Sequence, residues 1–271
     1  LIMESYSKEF VGHYNEGESY TPFLDSLMEN GMVFNNAYAN GLKSIEALPA
    51  ITASIPTLMD NPFITSNYGQ NQFESLASLL KIEGYNTSFF HGGQKGTMGF
   101  YSFSRKAGFH EYHGMEEYNN TADFDGTWGI YDIPFMKYFA SELNAKKEPF
   151  FIFFFSLSSH PPYILPKNYN HQFKKVELRE SIKYTDDAMQ QFFKSIKNED
   201  WFKNTLFVIT ADHTSPVNYN NTYKNRIGRY AIPLLYFKGD GSIVGENNSV
   251  VQQIDIMPTI LEEVAYTKPY L

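Results

Sequence analysis

Leu206-Phe207-Val208-Ile209-Thr210-Ala211-Asp212-His213-Thr214 is the stretch that decides how this chain reads. Four apolar residues in a row suit a strand buried on both faces of a parallel sheet. The run then delivers a carboxylate and an imidazole. Open α/β sheets carry their chemistry at the carboxyl ends of the strands. Asp and His together suit a divalent ion such as Zn or Mn. Successive residues of a regular strand point to opposite faces, so Asp212 and His213 can share one ion only if the chain turns there. At the other end of the chain, Leu1-Ile2-Met3-Glu4-Ser5 also runs apolar residues into a carboxylate. Between them, Gly41-Leu42-Lys43-Ser44 offers a hydroxyl nucleophile. Carboxylate, hydroxyl and Asp-His in that order describe a site for metal-assisted phosphoryl or sulfuryl transfer.

The surrounding sequence supports an α/β fold. Strand-like and helix-like segments alternate, which predicts a mostly parallel central sheet with helices on both faces and the site at the carboxyl edge. Strands are expected at 1–3, 32–38, 87–90, 150–155, 206–209 and 232–237. Helices are expected after Thr21 as N-cap with Pro22 at the first position, from Ser44, over 75–83 with Gly84 as the stop, over 135–143, over 177–197, and from Asp255 through Glu262. The Phe150 to Phe155 run predicts a strand buried on both faces. Residues 92–128, rich in Gly, Tyr, Asn and Asp, predict a long loop over the sheet edge. The candidate groups Glu4, Ser44, His91, His160, Asp212 and His213 each fall just after a strand.

Composition narrows the function. The 271 residues suffice for one large domain spanning 1–271. A net charge of −8 excludes nucleic acid as the main partner, because phosphate backbones are met by a surplus of Lys and Arg. Aromatics make up 17% of the chain, which points first to an aromatic core and second to a carbohydrate- or lipid-facing surface. The absence of Cys excludes disulfides and thiolate metal sites. No apolar run is long enough to span a membrane. The chain opens inside a core strand without an initiator Met, which reads as a soluble piece excised from a larger, membrane-anchored protein.

Each candidate has a plainer reading. Glu4 can be a solvated strand end. Ser44 can be an N-cap before Ile45-Glu46-Ala47-Leu48, and a hydroxyl at a helix N-terminus also sits where anions are stabilised. Lys43 can hold a negative group or be solvated. Asp212 can cap a turn. His91 and His160 can bind a second metal, contact a substrate anion, act as general acid or be ordinary loop residues. Trp128 can pack in the core or form a rim over a glycerol, sugar or lipid head group. His13, His110, His113 and His171 stand in polar contexts and read as surface residues.

Taken together, Leu1 to Ser5, Gly41 to Pro49, His91-Gly92, Trp128-Gly129 with Asp132, Ser159-His160-Pro161, Thr210 to Thr214 and Ile254 to Thr259 resemble the alkaline phosphatase/sulfatase superfamily. Within it the chain is most similar to the branch of membrane-anchored lipoteichoic acid synthases and their sulfatase-like relatives. The resemblance implies that Glu4, Ser44, Asp212 and His213 hold one divalent metal, with Mn favoured over Zn or Mg. It implies Ser44 as nucleophile where the synthases usually carry Thr, and His160 as a substrate-contacting residue. It implies a phospholipid or phosphodiester substrate, a cell-envelope acceptor, and a place on the extracellular face of a bacterial membrane or in the periplasm, the membrane being reached through a segment outside this chain. Family members usually continue further at the C-terminus. Two departures matter. The sulfatase signature Cys/Ser-x-Pro-x-Arg is absent, since Glu46 and Leu48 stand at its Pro and Arg positions. The Arg with which the synthases grip glycerol phosphate is matched here by Phe100. Alternatives are a phosphodiesterase or phosphonate-type hydrolase, a phosphoethanolamine transferase (a group usually rich in Cys), and a non-catalytic module that binds a surface polymer.

Overall fold

The computed structural model describes residues 1–15, 19–170 and 177–270. Its centre is one eight-stranded mixed sheet. The strands are β1 (Ile2–Met3), β2 (Met32–Tyr38), β3 (Asn86–His91), β4 (Glu111–His113), β5 (Phe150–Phe155), β6 (Leu206–Ala211), β7 (Leu234–Lys238) and β8 (Gly245–Gln252). Their spatial order is β4-β3-β5-β1-β6-β7-β2-β8. Only β7 runs antiparallel to its neighbours β6 and β2. The short β1 is gripped on both sides, with Ile2 opposite Phe155 and Thr210 and Met3 opposite Ala211. That register brings the chain just beyond β1, β5 and β6 to one point on the carboxyl edge.

Helices cover both faces of the sheet. The principal ones are α1 (Pro22–Met28), α2 (Ser44–Ala53), α3 (Leu76–Ile82), α4 (Phe100–Lys106), α5 (Met115–Tyr118), α6 (Asp132–Asn144), α7 (Leu178–Ile196) and α8 (Ile256–Glu263). α1, α6 and α7 pack together, and α2, α3 and α8 form a second group. The aromatic residues are core, as the composition suggested. Phe139 stacks on Phe154 at 4.9 Å and on Phe192 at 4.8 Å, and Phe89 stacks on Phe153 at 5.0 Å.

The expected strands and helices form, with four differences. Residues 92–128 are not a long loop. They contain α4, the edge strand β4 paired with β3, and α5. Phe100, Phe103, Phe109 and Tyr112 are buried there, an apolar set masked in sequence by the polar residues between them. In β5 only Phe153–Phe155 are buried, because its first half borders an apolar cavity of about 390 Å³ that Leu206 and Leu143 also line. β8 escapes a sequence pattern search because it is a solvent-exposed, polar edge strand. Thr21 stands at the N-cap position of α1, but its side chain does not cap. Asp186 of α7 does so instead, accepting the Phe23 and Leu24 N–H groups at 2.8 and 3.0 Å.

Candidate metal centre and active site

Glu4 follows β1 directly and is buried. Its backbone N–H donates to Ser156 Oγ at 2.8 Å, and its carbonyl accepts from Ser159 Oγ at 2.6 Å. The segment after β5 therefore fixes the position of the carboxylate. β6 ends at Ala211, and the chain bends at Asp212 and His213. The bend meets the condition set by strand geometry, and both side chains reach one point. His213 Nε2 lies 3.1 Å from Asp212 Oδ2 and 3.7 Å from Glu4 Oε1.

Ser44 is the first residue of α2, with Lys43 at the N-cap position in extended conformation. The N-cap reading of Ser44 is thus shifted by one residue, which leaves its hydroxyl free for the site. Its Oγ donates to Glu4 Oε2 at 3.1 Å and lies 3.3 Å from His213 Nε2. Glu46 organises the approach by accepting the Leu42 and Lys43 N–H groups at 2.9 and 3.1 Å. Gly41 is required beneath it, since a Cβ there would sit 2.6 Å from Glu46 Cβ.

One ligand atom each from Glu4, Asp212 and His213 lies within 4.8 Å of the other two. The donor set fits a divalent cation. His213 Nδ1 is placed to donate to Thr214 O at 2.7 Å, which directs the Nε2 lone pair at the carboxylates. Asp212 Oδ2 is fully buried and accepts no hydrogen bond, although Nε2 is close in distance. Three converging acceptors with one of them orphaned call for a positive charge between them. Without it the charges strain against one another. Burial pushes Asp212 up to about 8, with Glu4 adding to the effect. Burial opposes charge on His213 too, but Asp212 and Glu4 outweigh it and hold the imidazole above its usual range. Burial also opposes charge on Glu4, and His213 and His160 outweigh it, leaving that carboxyl below its usual range.

The site opens into a cleft of about 780 Å³. Lys43, His160, Lys224 and Arg229 line it. His160 Nδ1 and Trp128 Nε1 are each 2.7 Å from Pro161 O, and the two rings pack at 4.2 Å. Trp128 therefore serves His160 and is half-buried behind it. Asp132 is a further support. It accepts from Leu157 N, Ser158 N and Thr185 Oγ1 at 2.8, 3.0 and 2.7 Å, so it ties α6 and α7 to the loop that presents His160. Burial lifts its carboxyl to about 6.

His91 does not line the cleft. It is buried between Phe100 and Phe155, with Nδ1 3.4 Å from Phe155 O, and burial lowers it to about 4. Its Nε2 is buried and without a partner. Phe100 is fully buried against it. His113 is not a surface residue. It stacks on Phe90 at 4.2 Å and meets Tyr138 Oη at 2.8 Å, because β4 lies against β3. His13 is half-buried and His110 exposed, while His171 lies outside the described residues. Gln253 was missed by the sequence reading. Its buried amide donates to Ala211 O at 2.9 Å and Asp212 O at 2.6 Å. The Ile254 to Thr259 motif beside it was the available signal. Lys224 and Arg229 were also missed, since nothing local marks their loop as part of the cleft.

The chain is 26% identical over 287 residues to lipoteichoic acid synthase 1 of Bacillus subtilis (strain 168), covering 96% of this chain and 44% of that protein. It is 23% identical over 308 residues to lipoteichoic acid synthase of Staphylococcus aureus (strain bovine RF122 / ET3-1), covering 100% and 46%. The chain thus spans less than half the length of these relatives. The structure superposes on an alkaline phosphatase superfamily protein from Vibrio parahaemolyticus with a TM-score of 0.87 and 29% identity, covering 97% of this chain and 64% of that one. It superposes on the lipoteichoic acid synthase LtaP from Listeria monocytogenes with a TM-score of 0.87 and 20% identity, covering 100% and 72%. A family model described as Sulfatase matches residues 1–264. The chain belongs to the sulfatase family, within the alkaline phosphatase superfamily of metal-dependent phosphotransferases and hydrolases.

Proposed function

We propose that this domain transfers a phosphoryl-linked head group, of glycerol phosphate type, from a lipid donor through Ser44 to a hydroxyl of a cell-envelope acceptor. The observation that carries the reading is the convergence of Ser44 Oγ with Glu4 and His213 at the amino end of α2. A divalent ion held by Glu4, Ser44, Asp212 and His213, with Mn the favoured metal, would lower the hydroxyl pKa and offset charge on the transferred group. Ser44 Oγ, its proton lost to solvent at that lowered pKa, attacks phosphorus as the alkoxide, and the phosphorus–oxygen bond to the lipid breaks. His160 gives its proton to the departing oxygen. The N–H groups opening α2 and the Lys43 ammonium face the charge on the remaining phosphate oxygens. An acceptor hydroxyl then attacks the phosphoserine diester, returns its proton to His160 and releases Ser44 as the alkoxide, ready for the next donor. The same reading has the cleft face the membrane that carries the lipid donor.

A phosphodiesterase is the second reading, with water as acceptor. The buried Phe100, where a synthase presents a cation, favours it. The absence of the Cys/Ser-x-Pro-x-Arg signature around Ser44 argues against sulfate ester hydrolysis by a formylglycine.

Intact-protein mass spectrometry after incubation with Mn and bacterial phospholipids tests the reading. Wild type is expected to gain the mass of one head group, and Ser44→Ala to gain none. Metal-loaded wild type that turns over phosphodiesters while the Ser44→Ala variant does so equally well would overturn it.

A further inference from the structure

The loop from Thr214 to Tyr230 forms one wall of the cleft, through Pro216, Asn218, Lys224 and Arg229. The same loop carries three cations, Lys224, Arg226 and Arg229, and no Asp or Glu, in a chain whose net charge is −8. All three are exposed, and none makes an ion pair among the described residues. Beside them Val217 and Ile227 are 43% and 67% exposed, while Tyr219, 41% exposed, packs on Phe10 and under the Arg179 guanidinium at 3.7 Å. Single exposed apolar residues are ordinary, but Ile227 set between Arg226 and Arg229, with Val217 on the same loop, puts apolar and cationic side chains together at the mouth of a cleft. The nearby carboxylate of Glu9 accepts the Tyr219 and Asn220 N–H groups at 2.9 and 3.0 Å and offsets part of the charge of Lys224, leaving Arg226 and Arg229 without an acidic neighbour on the loop.

The loop is held in shape. Thr214 Oγ1 donates to Arg229 O at 2.6 Å, closing its base beside His213. Asn225 Oδ1 accepts from Ile227 N at 2.9 Å and Gly228 N at 2.8 Å, which fixes Ile227 at the tip. Gly228 allows this turn, since a Cβ there would come 2.8 Å from Tyr223 Cα.

We propose that this loop docks the domain on an anionic phospholipid bilayer, with the cations on the head groups and Ile227 and Val217 in the interface, so that the cleft opens onto the lipid surface. Cations interleaved with apolar side chains are the pattern of interfacial binding. The role assigned to the surface rests on the lipid-donor reading, but the binding can be measured without turnover.

The test is cosedimentation of the Ser44→Ala domain with vesicles of phosphatidylglycerol and phosphatidylcholine, or of phosphatidylcholine alone. Binding is expected only to the anionic vesicles and is expected to weaken with salt. Ile227→Asp, and separately the triple change Lys224→Gln, Arg226→Gln and Arg229→Gln, should each weaken it at least tenfold with an unchanged melting temperature. Equal binding to both vesicles, no binding, or binding unaffected by both variants overturns the proposal. Equal retention on a soluble polyanion such as polyphosphate would replace the bilayer with a polymer partner and overturn it too. In an otherwise wild-type background, Ile227→Asp should still form the Ser44 adduct from a water-soluble donor. Loss of adduct formation in wild type with vesicle binding intact would sink the catalytic reading and leave the docking surface standing.

Discussion

At the scale of single residues, the site depends on side chains that hold other side chains. Asp212 and His213 offer ligand atoms for the proposed metal, and Gln253 fixes where they sit, because its amide bridges the Ala211 and Asp212 carbonyls. Gln253→Ala is expected to weaken Mn affinity about 10- to 100-fold, the usual penalty for losing an outer-shell contact. Isothermal titration with the metal would measure it, and unchanged affinity would remove Gln253 from the site. Ser44 could be picked out in the sequence because it precedes a helix-forming run and follows a strand. Gln253 could not, because a buried glutamine bonded to two carbonyls looks like any glutamine until β6 and the turn before α8 are brought together.

At the scale of elements, two connections carry the arrangement. The turn into α2 works only while Gly41 leaves room for Glu46. Gly41→Ala should displace Glu46, release the Leu42 and Lys43 N–H groups and shift Ser44. Turnover is expected to fall about a hundredfold, as misplacement of a reacting group by about 1 Å does, with metal content retained. Turnover at the wild-type rate would show that the turn tolerates a side chain. The second connection is Asp186 of α7, which caps α1 across the protein. Asp186→Ala should cost about 2 kcal/mol, because two backbone N–H groups lose their acceptor. Burial raises the Asp186 carboxyl to about 7 from an ordinary 3.8. A raised folded-state value means that the folded protein holds this proton more tightly than the unfolded chain does. The associated stability is complete below about pH 4 and is lost as pH rises through 7. Denaturation at pH 5 and pH 8 should therefore show the balance between wild type and Asp186→Asn moving toward the variant at the higher pH. A difference that does not vary with pH would refute the assignment.

At the scale of the whole molecule, the candidate metal site joins the ends of β1 and β6, with Ser44 at the start of α2 beside it, segments separated by up to 209 positions in the chain. A cation bound there stabilises only the folded state. At a hundredfold excess over its dissociation constant it contributes about 2.7 kcal/mol. For a domain of this size that corresponds to a rise of about 5 to 10 °C in melting temperature. Thermal unfolding with and without Mn should show the rise in wild type, and chelation should reverse it. Glu4→Gln should lose it, and an equal rise in that variant would place the metal elsewhere.

The sequence by itself determined the class of fold and the identity of the metal-capable residues. Apolar runs ending in Glu4 and in Asp212-His213 carry that information locally, since burial on both faces of a sheet demands continuous apolar residues and chemistry is added where they stop. Only the tertiary structure decided which of the candidates share a space. His91 and His160 look alike in sequence, each following an apolar strand. Yet His91 turns under Phe100 into the core, and His160 is propped on Trp128 at the cleft. The edge strands β4 and β8 and the cationic wall with Lys224 and Arg229 were hidden for the same reason. Their roles come from partners distant in the chain, and a polar edge strand or an exposed loop carries no apolar periodicity to announce it.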